Sequence, residues 1–331
     1  MRKKIAFAGF RHGHIMSLYD RAGKHQNLEI VAACEEDAAT RDALRRGEQV
    51  NITHHDFTQM LDEVPCDLIA IGDYYTRRGS LAIEALRRGK HVLADKPLCT
   101  GRAELEEIAA LAGGKGLSVF CMFDLRSRSV FGEARKLIRE GNLGKIVQIQ
   151  FSAQHPLLRD SRPAWYFEDG KHGGTINDIA CHAIDLLPWL TGSRIGRIIA
   201  ARSWKAMNSG NDDFRDAGQF MLELDNGCGV MGDVSYSAPD SIAYSHPCYW
   251  RFNIWGTGGM IEFRCQDPAI HAWLNGNAGE VLIQAPEQSG ADYLDDFLAE
   301  IDGTPGELTT AAVLQATRTT LEIQALADKQ P

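Results

Sequence analysis

Three side chains in this sequence have the types needed to move a proton and a hydride: Lys96, Asp178 and His182. An imidazole that titrates near neutrality can accept a hydroxyl proton while a carbon-bound hydride leaves for a bound acceptor. An ammonium group can stabilise the alkoxide that develops. Asp178 and His182 stand four apart in Gly173-Gly174-Thr175-Ile176-Asn177-Asp178-Ile179-Ala180-Cys181-His182-Ala183-Ile184-Asp185. On a helix they share one face, and Asp185 lies on it too. Each residue also has a plainer reading. Asp178 would complete a capping box with Thr175, His182 would be a buried hydrogen-bonded histidine, and Lys96 a solvated charge at a strand end. Pro188 is expected to kink that helix or end its regular part.

A second constellation is Gly9-Phe10-Arg11-His12-Gly13-His14, placed after a first apolar run and before a helical segment. That is the context of a phosphate-binding turn. Gly9 fits the first position of G-x-G-x-x-G, Arg11 occupies the second, and His14 the third with Gly13 beside it. An ordinary strand-to-helix turn would use Gly9 in the same way. Arg11 offers a charge-assisted contact to phosphate where glycine would let the backbone approach. Glu35 opens Glu35-Glu36-Asp37 after the second strand. It is the expected acceptor for the ribose hydroxyls of an adenosine half, and it favours NAD over NADP because it repels a 2′-phosphate. Asp37 is the expected helix cap.

These groups need a scaffold. Apolar strands at Lys4–Gly9, Leu28–Cys34, Asp67–Gly72, His91–Ala94 and Leu117–Met122 alternate with helical segments such as Ala38–Arg46, Gly79–Arg88 and Gly101–Ala112. That alternation predicts a doubly wound parallel sheet covered on both faces, an α/β Rossmann domain over residues 1–122. A helix at Val130–Glu140 follows, then strand-like runs at Ile146–Phe151, Arg197–Trp204, Gly218–Leu224, Gly229–Tyr236, Tyr249–Trp255, Gly259–Arg264 and Glu280–Gln284, and helices at Asp292–Ile301 and Thr309–Ala327. Bunched strands predict an α+β domain with an open mixed or antiparallel sheet over residues 123–331.

Composition narrows the partners. A chain of 331 residues is expected to divide into two domains. A formal net charge of -9 disfavours nucleic acid and anionic membrane surfaces. No apolar run is long enough to span a bilayer. The apolar stretch after Met1-Arg2-Lys3-Lys4 is too short for a signal core, so a cytoplasmic location is expected. The eight cysteines form no C-x-x-C pair and are expected to be reduced core residues, with no metal site.

Two segments raise the reading above a generic nucleotide fold. Gly89-Lys90-His91-Val92-Leu93-Ala94-Asp95-Lys96-Pro97 resembles the G-K-H-V-x-x-E-K-P motif of the glucose–fructose oxidoreductase and inositol dehydrogenase (Gfo/Idh/MocA) family, with Asp95 in place of Glu. The segment from Gly173 to His182 resembles its G-G-G-x-x-x-D-x-x-x-H. The resemblance covers the whole chain in order. It implies that Lys96 contacts the reacting hydroxyl and the nicotinamide ribose, that His182 is the general acid/base, and that Asp178 holds substrate or the neighbouring groups. Where the family carries T-P-x-x-x-H, this chain reads Gly72-Asp73-Tyr74-Tyr75-Thr76-Arg77-Arg78, with Tyr74 for the proline and Arg78 for the histidine. Gly72, Asp73, Tyr74, Arg78 and Asp95 join the glycine turn as expected cofactor contacts. Arg126 resembles the family arginine that opens the second domain and faces substrate. Trp165, with Tyr166 beside it, and His155 are expected to stack on a sugar ring or to form a small loop core. The resemblance implies an NAD-dependent oxidoreductase acting on a secondary alcohol of a sugar, polyol or cyclitol. It leaves open transient use of bound NAD in glycoside cleavage or epimerisation, and a non-catalytic sugar or dinucleotide sensor. An open sheet face implies a homodimer or homotetramer.

Overall fold

The first strand owes its place to Ile5-Ala6-Phe7-Ala8, four successive residues with almost no exposed surface, as a strand covered on both faces requires. The computed structural model describes residues 2–47, 49–210, 212–287 and 292–329. The chain forms two compact units. The first contains residues 1–122 and takes back two later segments, 163–173 and 294–317; the second holds the remainder.

In the first unit, β1 (Lys3–Ala8), β2 (Leu28–Cys34), β3 (Leu68–Ile71), β4 (His91–Ala94) and β5 (Val119–Cys121) form a parallel sheet in the order β2-β1-β3-β4-β5. A single parallel bridge from Cys34 to His54 extends the edge beside β2. The strand order reverses between β1 and β3, and open α/β sheets bind ligands at the carboxyl ends of the strands at such a point. The glycine turn leaves β1 there and enters α1 (His14–Lys24). The helices α2 (Ala38–Arg46), α4 (Tyr75–Arg87) and α5 (Arg102–Lys115) supply the other crossovers. Two features escaped the sequence reading. One is α3 (Phe57–Glu63), a two-turn helix whose N-terminal amide at Gln59 donates to Asp56 at 2.7 Å. The other is the start of α4 at Tyr75, four residues before the expected one.

Asp37 caps α2 as expected, accepting from the Thr40 amide at 2.8 Å and from the Thr40 hydroxyl at 2.7 Å. Asp37→Ala is expected to lower stability by about 1 kcal/mol, read as a lower midpoint in urea with an unchanged slope.

The second unit is built on an eight-stranded sheet: β6 (Ile146–Pro156), β7 (Ile195–Trp204), β8 (Ala217–Leu224), β9 (Gly229–Ala238), β10 (Arg251–Gly256), β11 (Gly259–Arg264), β12 (Ala269–Leu274) and β13 (Val281–Gln284). Its order is β13-β12-β11-β10-β6-β9-β8-β7. Only the central β6–β9 pair is parallel, so the sheet is mixed. Strand β12 was not foreseen. One face of the sheet is packed: α6 (Ser129–Arg139) inserts Phe131 between Phe252 and Phe263, with ring centroids 5.4 and 5.2 Å away. On the other face the register aligns Met221 with Met231 and His271 with Leu282, and Trp273 follows two residues after His271. Met221 and Met231 are 46% and 51% exposed.

The stretch expected as one helix after Gly174 is a π-helical turn, Ile176–Ala180, followed by α7 (Cys181–Thr191). That extra width alters the expected common face of Asp178 and His182, and π turns occur often at functional sites. The helix runs three residues beyond Pro188 and ends at Gly192 with φ +76°, so proline does not end it. Two helices near the end of the chain, α8 (Tyr293–Ile301) and α9 (Thr310–Asp328), match the expected positions closely.

Candidate active site

The glycine turn is shaped by contacts only glycine permits. Gly9 has φ +78°, and a Cβ there would lie 2.7 Å from the Asp73 Cβ. Gly13 has open space around it. The Phe10 amide donates to Glu35 at 2.6 Å and the His12 amide to the Gly72 carbonyl at 3.1 Å. A close-packed turn at a helix N-terminus, at the strand-order reversal, fits the phosphates of a dinucleotide.

Glu35 is fully buried and accepts from the Phe10 and Asp37 amides, the latter at 2.8 Å. Burial raises its pKa, and those two amides oppose the rise. Its carboxylate holds the turn together, a role that reading the sequence did not assign. Arg11, in the place of the second glycine, turns its guanidinium onto Asp73 with contacts of 2.6 and 2.7 Å and stacks 4.6 Å from the Tyr74 ring centroid.

The departures from the family pattern compensate one another. Arg78 is completely buried. Its Nε donates to the Asp73 carbonyl at 2.8 Å, its Nη2 to Asp95 at 2.9 Å, and its Nη1 to the carbonyls of Lys96 and Pro97. Asp95 also pairs with His12 Nδ1. Burial opposes the Asp95 charge, but Arg78 and the nearby histidines outweigh it and hold the carboxyl well below the usual range. The Lys96 backbone is thus fixed by Arg78. Its side chain is buried, with Nζ 5.9 Å from the Tyr75 ring centroid.

Residues 163–173 return to this unit with a cluster of rings. Trp165 donates its indole N–H to the Arg11 carbonyl at 3.0 Å. Its ring lies 4.2 Å from Tyr166 and 5.0 Å from Tyr75. The Tyr75 and Tyr166 hydroxyls are 2.7 Å apart, and His12 Nε2 lies 3.2 and 3.1 Å from them. Trp165 is therefore packed on the glycine turn. Tyr75 and His172 were missed as members of this cluster because aromatic residues at such separations carry no local periodic signal.

Burial pushes the His12 pKa down to about 3, with Asp95 opposing. The folded chain then refuses a proton that the unfolded chain accepts below about pH 6.5. Stability is expected to fall as pH drops from about 6.5 towards 3, by up to about 1.4 kcal/mol per pH unit. Asp95, with its own pKa depressed, adds to the loss in acid. His12→Asn is expected to flatten the upper part of this profile in urea melts taken across the range.

In the second unit, Gln324 Oε1 accepts from the Ile176 and Asn177 amides at 3.0 and 3.2 Å, satisfying the start of the π turn. A Cβ on Gly174, which has φ +101°, would collide with that Gln324 amide. Thr175 donates instead to the Arg215 carbonyl, so the capping box with Asp178 does not form. Asp178 is buried and accepts from the Tyr236 hydroxyl. His182 is buried, with Nδ1 3.6 Å from Asp124 and its ring centroid 5.4 Å from Trp250. Trp250 has φ +49°, costly for a bulky side chain. His155 borders Tyr249, Tyr244, Tyr236 and Trp250 at 5.2–6.0 Å. One aromatic cluster thus joins Asp178, His155 and His182 within this unit. Tyr236, Asp124 and Trp250 are its unforeseen members. Arg126 is buried and grips Asp185 through two bonds of 2.7 and 2.6 Å. Burial raises the Asp185 pKa and Arg126 lowers it, with burial prevailing.

Comparison with known proteins places the chain. A family described as "Oxidoreductase family, NAD-binding Rossmann fold" matches residues 3–123, and "GFO/IDH/MocA C-terminal domain" matches residues 131–262. An uncharacterized oxidoreductase, YdgJ of Escherichia coli, is 32% identical over 239 residues, covering 72% of this chain and 63% of that protein. Levoglucosan dehydrogenase of Pseudarthrobacter phenanthrenivorans is 23% identical over 252 residues, covering 71% and 64%. Two further curated oxidoreductases are matched over only 46% and 45% of their lengths, so the chain spans about half to two-thirds of such relatives. A solved levoglucosan dehydrogenase in complex with NADH superposes with a TM-score of 0.81 at 19% identity, covering 99% of this chain and 98% of that one. The chain belongs to the Gfo/Idh/MocA family of oxidoreductases, and residues 3–123 are that family's NAD-binding Rossmann domain.

Proposed function

We propose that this protein is an NAD-dependent dehydrogenase that interconverts a secondary alcohol and a ketone on a sugar, polyol or cyclitol. The observation that carries the reading is His182, buried at the start of α7 beside Asp124 and on the same aromatic cluster as the Tyr236-bound Asp178. An imidazole so placed can take a hydroxyl proton, and the carboxylate at 3.6 Å stabilises the imidazolium. NAD, when bound, accepts the hydride. Lys96 stabilises the developing alkoxide. Asp178, oriented by Tyr236, binds a substrate hydroxyl, and His155 offers an aromatic edge to the sugar. Arg126 acts through Asp185 to hold α7.

Gly9, Phe10, Arg11, His12 and Gly13 form the phosphate turn, with Gly72, Asp73 and Tyr74 facing it across the strand-order reversal. Glu35, Arg78 and Asp95 hold that turn and the Lys96 backbone. The Glu35 carboxylate favours NAD over NADP by repelling a 2′-phosphate. The levoglucosan dehydrogenase relative supports a carbohydrate substrate. The exposed sheet face carrying Met221, Met231, Trp273 and Leu282 supports a homo-oligomer, measurable by light scattering. Among the described residues no helix is long and apolar enough to cross a membrane. The eight cysteines, none of them in a disulfide, support a reducing, cytoplasmic compartment.

The test is a titration of NAD and NADP followed by tryptophan fluorescence, then a panel of aldoses and cyclitols scored for reduced nicotinamide. Tighter NAD and accumulating reduced cofactor agree with the reading; tighter NADP overturns the cofactor choice. The second reading is a dinucleotide sensor without chemistry. The Arg11 guanidinium held on Asp73 at the second glycine's position favours it. Binding with no turnover of any substrate would select it.

A further inference from the structure

We infer that His12, His14 and Asp95 form a binding site for one divalent transition-metal cation of the zinc class. One ring nitrogen from each histidine and one oxygen of Asp95 all lie within 4.8 Å of one another. Two imidazoles and a carboxylate suit zinc and its transition-metal neighbours, whereas calcium and magnesium favour all-oxygen sets.

A second observation points to a missing ligand. Asp95 is fully buried, and its two oxygens are treated differently. Oδ2 takes the hydrogen bonds from Arg78 and His12. Oδ1 is buried without a hydrogen-bond partner, 3.5 Å from His14 Nδ1. A buried carboxylate oxygen left unsatisfied is costly, and a cation between it and the histidines removes that cost. The environment of His12 matches that of a metal-ligating histidine. Its Nε2 faces the hydroxyls of Tyr166 and Tyr75 at 3.1 and 3.2 Å, the outer partners that fix ring orientation; on metal binding Nδ1 exchanges its hydrogen bond to Asp95 Oδ2 for the cation and releases its proton to solvent, while Nε2 keeps a proton for the hydroxyls.

His14 provides the entrance. Its side chain is 56% exposed, so a cation can arrive from solvent and keep water in the remaining positions. Zinc–nitrogen bonds are about 2.0–2.1 Å long, so the ring of His14, the exposed member, swings inward on binding. Arg78 and the N-terminal end of α1 oppose a cation here. The site therefore takes an ion that bonds strongly to imidazole rather than one held by charge alone. This inference does not depend on the redox reading.

The test uses the full chain, free of any affinity tag and stripped of metal, titrated with Co2+ and followed by visible d–d absorption. The expected result is saturation near one equivalent, loss of the signal when Zn2+ is added, and affinity weakened at least roughly 10–100-fold by His14→Ala. His14 is exposed, so that variant should keep the wild-type circular dichroism and urea midpoint. Asp95→Asn, checked in the same way, should also lose the signal. Absence of a saturable cobalt spectrum, or a spectrum that survives His14→Ala unchanged, overturns the inference.

Discussion

His182→Ala is expected to lower kcat roughly 10²–10⁴-fold, the contribution of a positioned general acid/base, with NAD affinity by fluorescence unchanged. The size follows from the chemistry. Without a group to take the hydroxyl proton, hydride departure leaves a protonated carbonyl of high energy. The ring is buried, so water does not replace it freely. His182→Gln is expected to fold as well as the wild type and to be as slow. The wild-type pH profile of kcat/KM should show a basic group that must be deprotonated for oxidation, and that limb should vanish in either variant. A variant that keeps both its rate and its pH profile would remove His182 from the mechanism.

Lys96→Ala is expected to cost roughly 10²–10³-fold in kcat, comparable to loss of one donor to a developing oxyanion. The Lys96 carbonyl, not its amine, is what Arg78 binds, so truncation leaves that anchor in place. Lys96→Arg should recover little, because the bulkier planar guanidinium does not reproduce a compact ammonium. Steady-state rates over a substrate series separate the effects. Loss in kcat at preserved KM points to alkoxide stabilisation, whereas loss in KM alone would make Lys96 a simple binding residue.

The parallel sheet and most element boundaries were legible because buried parallel strands read as continuous apolar runs, and glycine and capping residues punctuate them. Leu28–Cys34, His91–Ala94 and Gly259–Arg264 were placed to the residue. The short α3 was missed because seven residues give too little helical periodicity. Strand β12 was missed because Trp273 and His271 occupy its outer face and blur the apolar–polar alternation. The π turn has no sequence signal of its own.

The candidate site was legible in part. Lys96, Asp178 and His182 stood out through motif spacing. The partners that restrain their surroundings did not, because Arg78–Asp95, Tyr236–Asp178 and Asp124–His182 join residues 17 to 58 positions apart. In the sequence the Arg78 and Asp95 departures stand apart, in two different motifs. In the folded chain they form one ion pair at 2.9 Å beneath the glycine turn.

The central claim is hydride removal from a carbinol carbon, and the most direct measurement is isotopic. A sugar or cyclitol substrate carrying deuterium on the reacting carbon is incubated with the protein and NAD, and the nicotinamide is analysed by mass spectrometry. The account predicts deuterium on the reduced ring and a slower reaction than with the protiated substrate. Product formed with no deuterium on the ring, the label being lost to water, would contradict it.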